Sequence, residues 1–395
     1  MLSQRQLFLH HIAQTSDSPL ALEITHADGC WLYDIAGKKY LDLISGIAVS
    51  NLGHNHPEIK KAITEQLDKY THLMVYGEFV ETPQVQLAKQ LTDLLPQNLS
   101  SVYLTNSGSE AIECAIKLAK KYTGRTEIIS FKNSYHGSTL GALSLGNNEE
   151  RKNAFRPLIP DNHILEYNNF EQLKHITTKT AAVIIEPVQA EAGVILPVEN
   201  YLTTIRKRCD ETKTLLIFDE CQTGFGRTGK LFAFEKYNVT PDVLCLGKAI
   251  GGGMPLGACI SSKTIMQSLT NNPVLGHITT FGGHAVCCAA GLASLKVLIG
   301  ENIIPIIDEK SRLFLALLNH QRIKAVRNEG FLMAVEFENA EINLSVNKKL
   351  IQYGILVDWF LFAPECLRIA PPLIISEEEI TFACEKIIET LNSFS

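Results

Sequence analysis

The middle of the chain alternates short, continuous apolar runs with amphipathic stretches. The apolar runs predict strands at positions 102–106, 127–131, 181–186, 215–220, 243–248 and 256–261. Apolar runs without polar alternation are typical of strands that are buried on both faces. Between the first two runs, a helix predicted over 110–122 places Ile112, Ala115, Ile116 and Ala119 on one face. This order predicts an α/β fold with a mostly parallel central sheet that is flanked by helices.

The pattern changes toward both ends of the chain. Residues 30–43 predict a strand–turn–strand with Gly37 in the turn. A long apolar helix is predicted over 285–299, and a final helix starts at a capping-box pattern of Ser376 and Glu379. We therefore expect a large α/β domain and a smaller α+β domain to which both chain ends contribute. The predicted boundaries are residues 51–284 for the large domain, 285–395 for the small domain, and 1–50 for an N-terminal segment that joins the small domain.

Composition narrows the classes of protein. The 395 residues carry 36 basic and 42 acidic side chains, a net charge of −6, which argues against nucleic acid or an anionic membrane as the main partner. Several of the ten cysteines, such as Cys287 and Cys288, lie in apolar runs, which predicts free thiols in a reducing compartment. The first residues lack a secretory pattern, and no run is apolar enough to predict a membrane span. We expect a cytoplasmic protein.

Two polar residues end neighbouring apolar runs and suggest the chemistry. Asp219 follows the run at 215–218, and Lys248 follows the run at 243–246. In a parallel sheet both side chains emerge at the carboxyl ends of the strands, where open α/β sheets bind ligands. An amine that forms an imine with an aldehyde and an acid that pairs with a ring nitrogen suit pyridoxal phosphate (PLP). Taken alone, such a pair more often marks polar strand ends that face solvent.

Three further patterns favour the same cofactor. Gly108 and Ser109 lie between a predicted strand and helix, where free N–H groups and the helix dipole can bind a phosphate. Tyr135 follows a strand and can stack on a flat ring. The segment HITTFGG at 277–283 offers hydroxyls and glycines for a phosphate cup. Each pattern also has an ordinary explanation, namely a helix cap, a packing aromatic and a glycine turn.

Two other patterns are rejected as sites. GFGRTG at 224–229 matches a dinucleotide fingerprint, but the polar residues ECQT separate it from the strand. Its extension to Lys230 lacks the Ser or Thr that a P-loop needs, because Leu231 follows. His54 and His56 have no neighbouring ligand set, so no metal site is predicted.

In combination, these segments resemble the class III PLP-dependent aminotransferases of fold type I, in particular the acetylornithine, ornithine and 4-aminobutyrate branch. The resemblance runs from about Asp28 to the final helix, and its motifs follow the order of the family. The motifs are GIAVSNLGHNHP, NSGSEA, YHGSTLGALS, EPVQAEAGV, IFDECQTGFGRTG, LGKAIGGGMPLGA, TTFGG and LRIAPPL. A fold type I enzyme with a large and a small domain is therefore expected.

The resemblance implies roles for individual cofactor-binding residues. Lys248 would hold the PLP aldehyde and move a proton, and Asp219 would pair with the ring nitrogen. Gln222 would bind the ring hydroxyl, and Cys221 would lie against one face of the ring. The remaining implied PLP ligands are Gly108, Ser109, Tyr135 and Thr280. Thr280 would reach the phosphate in the neighbouring subunit, which implies a homodimer with shared active sites.

The resemblance also implies a substrate site. Glu191 would cover Arg368 while an amino donor is bound and release it to grip the carboxylate of 2-oxoglutarate or glutamate. Thr279 and Ser138 are further substrate-binding candidates. Acetylornithine and ornithine enzymes usually carry an arginine where this chain has Ser138, and a hydroxyl cannot replace a two-pronged cationic grip. The identity of the donor therefore stays open.

The expected function is transfer of an amino group from acetylornithine, ornithine or another ω-amino compound to 2-oxoglutarate, giving glutamate. A PLP-dependent aminomutase or racemase is the alternative within this fold, since Lys248 and Asp219 do not fix the reaction. A nucleotide-binding protein built on GFGRTG is the rival from another class, and a catalytically silent regulator with the PLP-enzyme fold is a third alternative. Glu191 and Arg368 favour transamination over isomerisation.

Overall fold

A computed structural model describes residues 2–75 and 77–394 of the chain. The helices are α1 Gln4–His11, α2 Ser45–Ala48, α3 Pro57–Leu67, α4 Thr82–Leu94, α5 Gly108–Thr123, α6 Leu140–Ser144, α7 Glu149–Lys152, α8 Tyr201–Thr212, α9 Phe234–Tyr237, α10 Lys263–Met266, α11 Ala285–Gly300, α12 Ile307–Leu317, α13 Ala340–Gln352 and α14 Glu377–Asn392. The strands are β1 Ile24–Asp28, β2 Trp31–Asp34, β3 Lys39–Asp42, β4 Ser101–Thr105, β5 Glu127–Phe131, β6 Asn162–Leu165, β7 Thr180–Ile185, β8 Leu215–Asp219, β9 Val243–Leu246, β10 Gly257–Ser261, β11 Ala325–Glu329, β12 Leu332–Glu336, β13 Ile355–Leu356, β14 Asp358–Phe360 and β15 Ala363–Ile369.

The central sheet has seven strands in the order β4-β10-β9-β8-β7-β5-β6. Strands β9, β8, β7, β5 and β6 pair in parallel, whereas β10 is antiparallel to both of its neighbours. The carboxyl ends of the parallel strands therefore open along one edge of the sheet. That edge is where ligands bind in open α/β folds.

Both faces of this sheet are buried, which explains the continuous apolar runs. Successive side chains on a strand point to opposite faces. On β8, Ile217 belongs to the core cluster that contains α5, whereas Leu216 and Phe218 belong to the cluster that contains Ile205 of α8. Helices cover the sheet on both sides, and the predicted α/β architecture is confirmed.

Two smaller four-stranded sheets join distant parts of the sequence. The first has the order β1-β2-β3-β13, and β13 pairs in parallel with β3. The second has the order β11-β12-β15-β14 and is antiparallel throughout. The predicted domain boundaries at residues 50 and 284 stay a prediction.

Most predicted elements are present, with small shifts. Helix α5 starts two residues earlier than expected, because Ser107 caps it by accepting a hydrogen bond from the Glu110 N–H at 3.2 Å. The capping box of Ser376 and Glu379 is present at the start of α14. The apolar run at 355–359 divides between β13 and β14, which lie in different sheets.

No single helix in the described part of the chain has the length and apolar character to cross a membrane, although α11 and α12, bent by 60°, pass that test of length and composition as a pair.

Candidate active site

The predicted pair meets at adjacent strand ends. Asp219 is the last residue of β8, and Lys248 follows two residues after β9, which pairs with β8 in parallel. Lys248 interacts electrostatically with Asp219 and Glu191. The geometry therefore brings the predicted amine and acid to one crevice.

Lys248 is held in an unusual conformation and environment. Its φ angle is +52°, in the left-handed region that non-glycine residues seldom adopt, and such strain concentrates at functional sites. Burial lowers the pKa of the Lys248 amine, against the opposing influence of Cys221, Glu191 and Asp219. A lowered pKa favours the uncharged amine, which is the nucleophilic and basic form.

Asp219 is buried and kept ionised by its neighbours. Burial would raise its pKa, but the hydrogen bond from His136 Nδ1 at 2.7 Å and the N–H of Cys221 at 3.0 Å outweigh burial and lower it. Because an ionised carboxylate only accepts hydrogen bonds, the His136 Nδ1 carries the proton that it donates. His136 is a site residue to which the sequence assigned no role, although it lies inside the Tyr-His-Gly motif.

The amino end of α5 faces the same crevice and is closely packed. A Cβ atom on Gly108 would lie 2.6 Å from Cys221 Sγ, and one on Gly247 would lie 2.9 Å from Gly108 Cα. These glycines allow the start of the helix to approach the segment that carries Lys248. Gly137, at φ +128°, packs against the Ser109 side chain. The predicted phosphate cradle of Gly108 and Ser109 is therefore a place where only small residues fit.

Glu191, Gln222 and Arg368 form a buried cluster beside Lys248. Arg368 Nη2 donates to Glu191 Oε2 at 2.7 Å, and Gln222 Nε2 donates to Glu191 Oε1 at 2.9 Å. Burial would raise the pKa of Glu191, but Arg368 and Gln222 outweigh it and the pKa is lowered. Within the described residues, Nε and Nη1 of Arg368 and Oε1 of Gln222 have no hydrogen-bond partner although all are buried.

The opposite wall carries the aromatic residue and its neighbours. The Tyr135 hydroxyl lies 3.2 Å from Ser138 Oγ, and the Tyr135 N–H donates to Glu186 Oε2 at 3.3 Å. Burial and, to a lesser extent, the charge of Asp219 raise the pKa of Glu186 well above its usual value. Glu186 is a second residue that the sequence did not single out; its signal was its place in the EPVQ motif at a strand end.

The two predicted threonines lie apart from this core. Thr279 accepts a hydrogen bond at 2.9 Å from Asn106 Nδ2, directly before the start of α5. Thr280 and the next residue, Phe281, are exposed, and Phe281 is 54% exposed. Thr280 therefore faces outward within one chain.

The rejected patterns have structural roles. Arg227 of GFGRTG is completely buried and donates to Asn51 Oδ1 at 2.6 Å and Ser45 Oγ at 3.1 Å. His54 Nε2 lies 2.8 Å from Asp42 Oδ2. Both patterns connect segments that are distant in the sequence.

The residues present fit PLP on their own chemistry. An amine with a lowered pKa faces an ionised carboxylate, as the aldehyde and the ring nitrogen require. The unpaired Gln222 Oε1 can accept from a ring hydroxyl, and the amino end of α5 can hold a phosphate.

Comparison with known proteins agrees with this geometry. The sequence profile of the family described as Aminotransferase class-III matches residues 12–391. The acetylornithine aminotransferase of Methanopyrus kandleri is 38% identical over 389 residues, which cover 97% of each chain.

Solved structures give the same picture. The ornithine aminotransferase of Toxoplasma gondii, described with partial occupancy of PLP at its active site, superposes with a TM-score of 0.91 at 28% identity and covers 98% of this chain and 93% of its own. The adenosylmethionine-8-amino-7-oxononanoate aminotransferase of Methanocaldococcus jannaschii superposes with a TM-score of 0.90 at 31% identity and covers 98% of each chain. These similar proteins are named for different substrates.

Proposed function

This chain belongs to the class III aminotransferases, and we propose that it transfers an ω-amino group from a donor such as acetylornithine or ornithine to 2-oxoglutarate, giving glutamate. Enzymes of this class are PLP-dependent and act on small-molecule amino donors and keto acceptors. The observation that carries this proposal is the meeting of Lys248 with an ionised Asp219 at the ends of two parallel strands. Arg368, with two unpaired donor atoms, supports a dicarboxylate acceptor.

Each residue has a defined part in this proposal. When bound, PLP supplies an aldehyde that reacts with amines and a ring that withdraws electrons. The Lys248 Nζ would accept a proton from the substrate carbon and return it to the bound cofactor, a positioned acid–base step that contributes roughly 10²–10⁴ in rate. Asp219, oriented by His136, stabilises the protonated ring nitrogen. The amino end of α5 with Ser109 binds the phosphate.

Glu191 and Arg368 accommodate two kinds of substrate in one pocket. While they are paired, the pocket presents little net charge to an amine donor. When Glu191 turns away, the guanidinium can bind the far carboxylate of 2-oxoglutarate with two parallel hydrogen bonds. The alternation requires only side-chain movement, since Glu191 is the one acid bonded to Arg368 among the described residues.

Replacing Lys248 tests the proposal. Lys248→Ala should retain the fold but lose turnover and the absorbance of lysine-bound PLP, whereas Lys179→Ala, an exposed control, should retain both. Stoichiometric consumption of 2-oxoglutarate distinguishes transamination from an aminomutase or racemase, which consumes none. Full activity of Lys248→Ala would refute the assignment.

We also propose that two copies form a dimer in which Thr280 of one chain reaches the phosphate in the other. Exposed apolar side chains in the segment that contains Thr280, Val274 (71% exposed) and Phe281 (54%), and in the segment of Phe79 (53%) and Val80 (90%), support a covered surface. Mixed dimers test it. Chains with Lys248→Ala and chains with Thr280→Asp should each be nearly inactive alone and regain activity when refolded together, because one site then has both residues. Sedimentation should show a dimer, and a monomeric active enzyme would exclude sharing.

A cytoplasmic location completes the proposal. All ten cysteines are free, and all except Cys221 are buried, as in a reducing compartment. Fractionation of the native cells with a cytosolic marker would test the location.

A further inference from the structure

At Ser138 and Tyr135, the wall of the site presents hydroxyl groups to a donor. Ser138 Oγ and the Tyr135 hydroxyl bond each other at 3.2 Å, and neither side chain is a cation. Arg368 lies in the opposite wall and is already paired with Glu191. A donor that carries a carboxylate beyond its reacting amine therefore needs a positive charge from another element.

Arg151, on the short helix α7, lies next to a segment that bonds Glu191. Its guanidinium carbon lies 5.8 Å from the centre of the Phe362 ring. The Phe362 N–H donates to the Glu191 carbonyl at 3.1 Å, and the N–H of the preceding residue, Leu361, donates to Glu191 Oε2 at 3.1 Å. Arg151 is thus stacked on the loop that covers the Glu191–Arg368 pair.

The segment before α7 is anchored to the other wall. Asn147 Oδ1 accepts a hydrogen bond at 2.7 Å from the N–H of Asn133, two residues before Tyr135. Asn148 caps α7 by accepting from the Arg151 N–H at 3.1 Å. The backbone of Arg151 is therefore held near Tyr135 through Asn147 and Asn148, and its guanidinium lies over the Phe362 ring.

Neighbouring cations are committed elsewhere, whereas Arg151 is not. Arg156 pairs with Glu149 at 2.6 Å, and Lys152 Nζ donates to the carbonyl of Gly146 at 2.6 Å. Arg151 is exposed and, within residues 2–75 and 77–394, has no carboxylate partner. An aromatic face holds a guanidinium in place while its N–H edge stays available for a carboxylate.

We propose that Arg151 binds the carboxylate of the amino donor and so makes this enzyme select donors that carry a carboxylate at the end away from the reacting amine. The assignment rests on the aminotransferase function proposed above. Arg151 then binds the carboxylate of the donor in one half-reaction, and Arg368 binds the far carboxylate of the keto acid in the other.

Matched donor pairs test the proposal on the holoenzyme with 2-oxoglutarate as acceptor. Ornithine and putrescine differ only by a carboxylate, as do N-acetylornithine and N-acetylputrescine. Arg151→Ala should raise KM for the acids about 10–100-fold, the value of one charge-assisted hydrogen bond of about 1.5–3 kcal/mol, and leave kcat nearly unchanged. Both decarboxylated donors should be unaffected. Arg151→Lys should retain most of the preference, and Arg151→Glu should reverse it.

A binding measurement separates this role from a general effect on turnover. N-acetylnorvaline has the carboxylate of N-acetylornithine but no reacting amine. Calorimetry on the holoenzyme should show binding that weakens about tenfold or more in Arg151→Ala. Binding of equal strength in both proteins would overturn the proposal.

The outcomes separate the two proposals. If the wild-type enzyme is active but prefers no acid over its decarboxylated partner, or if Arg151→Ala slows all four donors equally, the role of Arg151 is refuted and transamination stands. If the wild-type holoenzyme transfers an amino group from none of the four donors, the proposed function itself fails.

Discussion

Two arginines are almost completely buried, and their surroundings are opposite. Arg227 is 0% exposed and donates to four oxygens from different segments, on Ser45, Asn51, Phe331 and Pro371, none of them a carboxylate. Arg368 is 2% exposed and uses one terminal nitrogen, on Glu191 and on the Trp359 carbonyl. Within the described residues its Nε and Nη1 are unpaired.

The difference separates a structural role from a binding role. Arg227 is bonded by neutral, fixed acceptors that hold the loop at 45–51 and the segments at 331 and 371 together. Burial lowers the pKa of Arg227 to about 9, although the charge of Asp42 opposes this shift. Within the described residues, Arg368 keeps two unused donors beside the carboxylate of Glu191, whereas Arg227 leaves only its Nε unpaired. The arrangement around Arg368 is therefore the one suited to a ligand. A buried guanidinium is therefore informative only together with its partners.

The largest expected effect comes from removing Arg227. Arg227→Met should lower the free energy of unfolding by about 3–5 kcal/mol, because four buried acceptors lose their donor. Urea unfolding measures the change. Arg156→Met, at an exposed ion pair, is the matched control and should cost less than about 1 kcal/mol. A small effect of Arg227→Met would show that Arg227 does not have a structural role.

The next effect should fall on substrate binding instead of stability. Arg368→Lys retains a charge opposite Glu191 but loses the planar fork, so KM for 2-oxoglutarate should rise about 10–100-fold. The midpoint of thermal unfolding should change little. Steady-state kinetics and a thermal scan measure the two quantities. Loss of stability with an unchanged KM would show that Arg368 is structural like Arg227.

Glu191→Gln tests the proposed alternation between paired and released Arg368. The variant keeps the shape of the side chain but removes the charge that holds Arg368, so the keto acid should bind about 3–10-fold more tightly. The donor half-reaction should slow, because the guanidinium charge is then uncovered. Half-reactions followed separately by absorbance measure both changes. Equal slowing of both half-reactions would contradict alternation.

The smallest effect is a pH dependence of stability. The pKa of Glu191 is lower in the folded protein, so the unfolded chain binds more protons on this residue at acid pH. The stability that ionised Glu191 contributes is present above the ordinary glutamate pKa of about 4.3 and is lost as the pH falls through the folded value. The stability difference between the wild type and Glu191→Gln should shrink below that pH. A constant difference from pH 3 to pH 7 would show that Arg368 does not lower this pKa.

Sequence patterns predicted the sheet well and the site in part. Apolar runs placed β4, β5 and β7–β10 within one or two residues, because burial on both faces leaves a signal in every residue. The pairing of Asp219 with Lys248 followed from strand ends alone. His136 and Glu186 were missed, because one buried histidine or glutamate in a loop carries no periodic signal.

The sequence by itself determined the fold class and which residue types reach the carboxyl edge of the sheet, since both follow from hydrophobic periodicity and chain order. Only the tertiary structure decided what each polar side chain meets: that His136 bonds Asp219, that Arg227 bonds Asn51, and that Arg151 lies over the Phe362 ring. Those contacts join segments up to hundreds of positions apart. Hydrogen bonds and charge interactions act over a few ångströms in space, and distance along the chain does not report that separation.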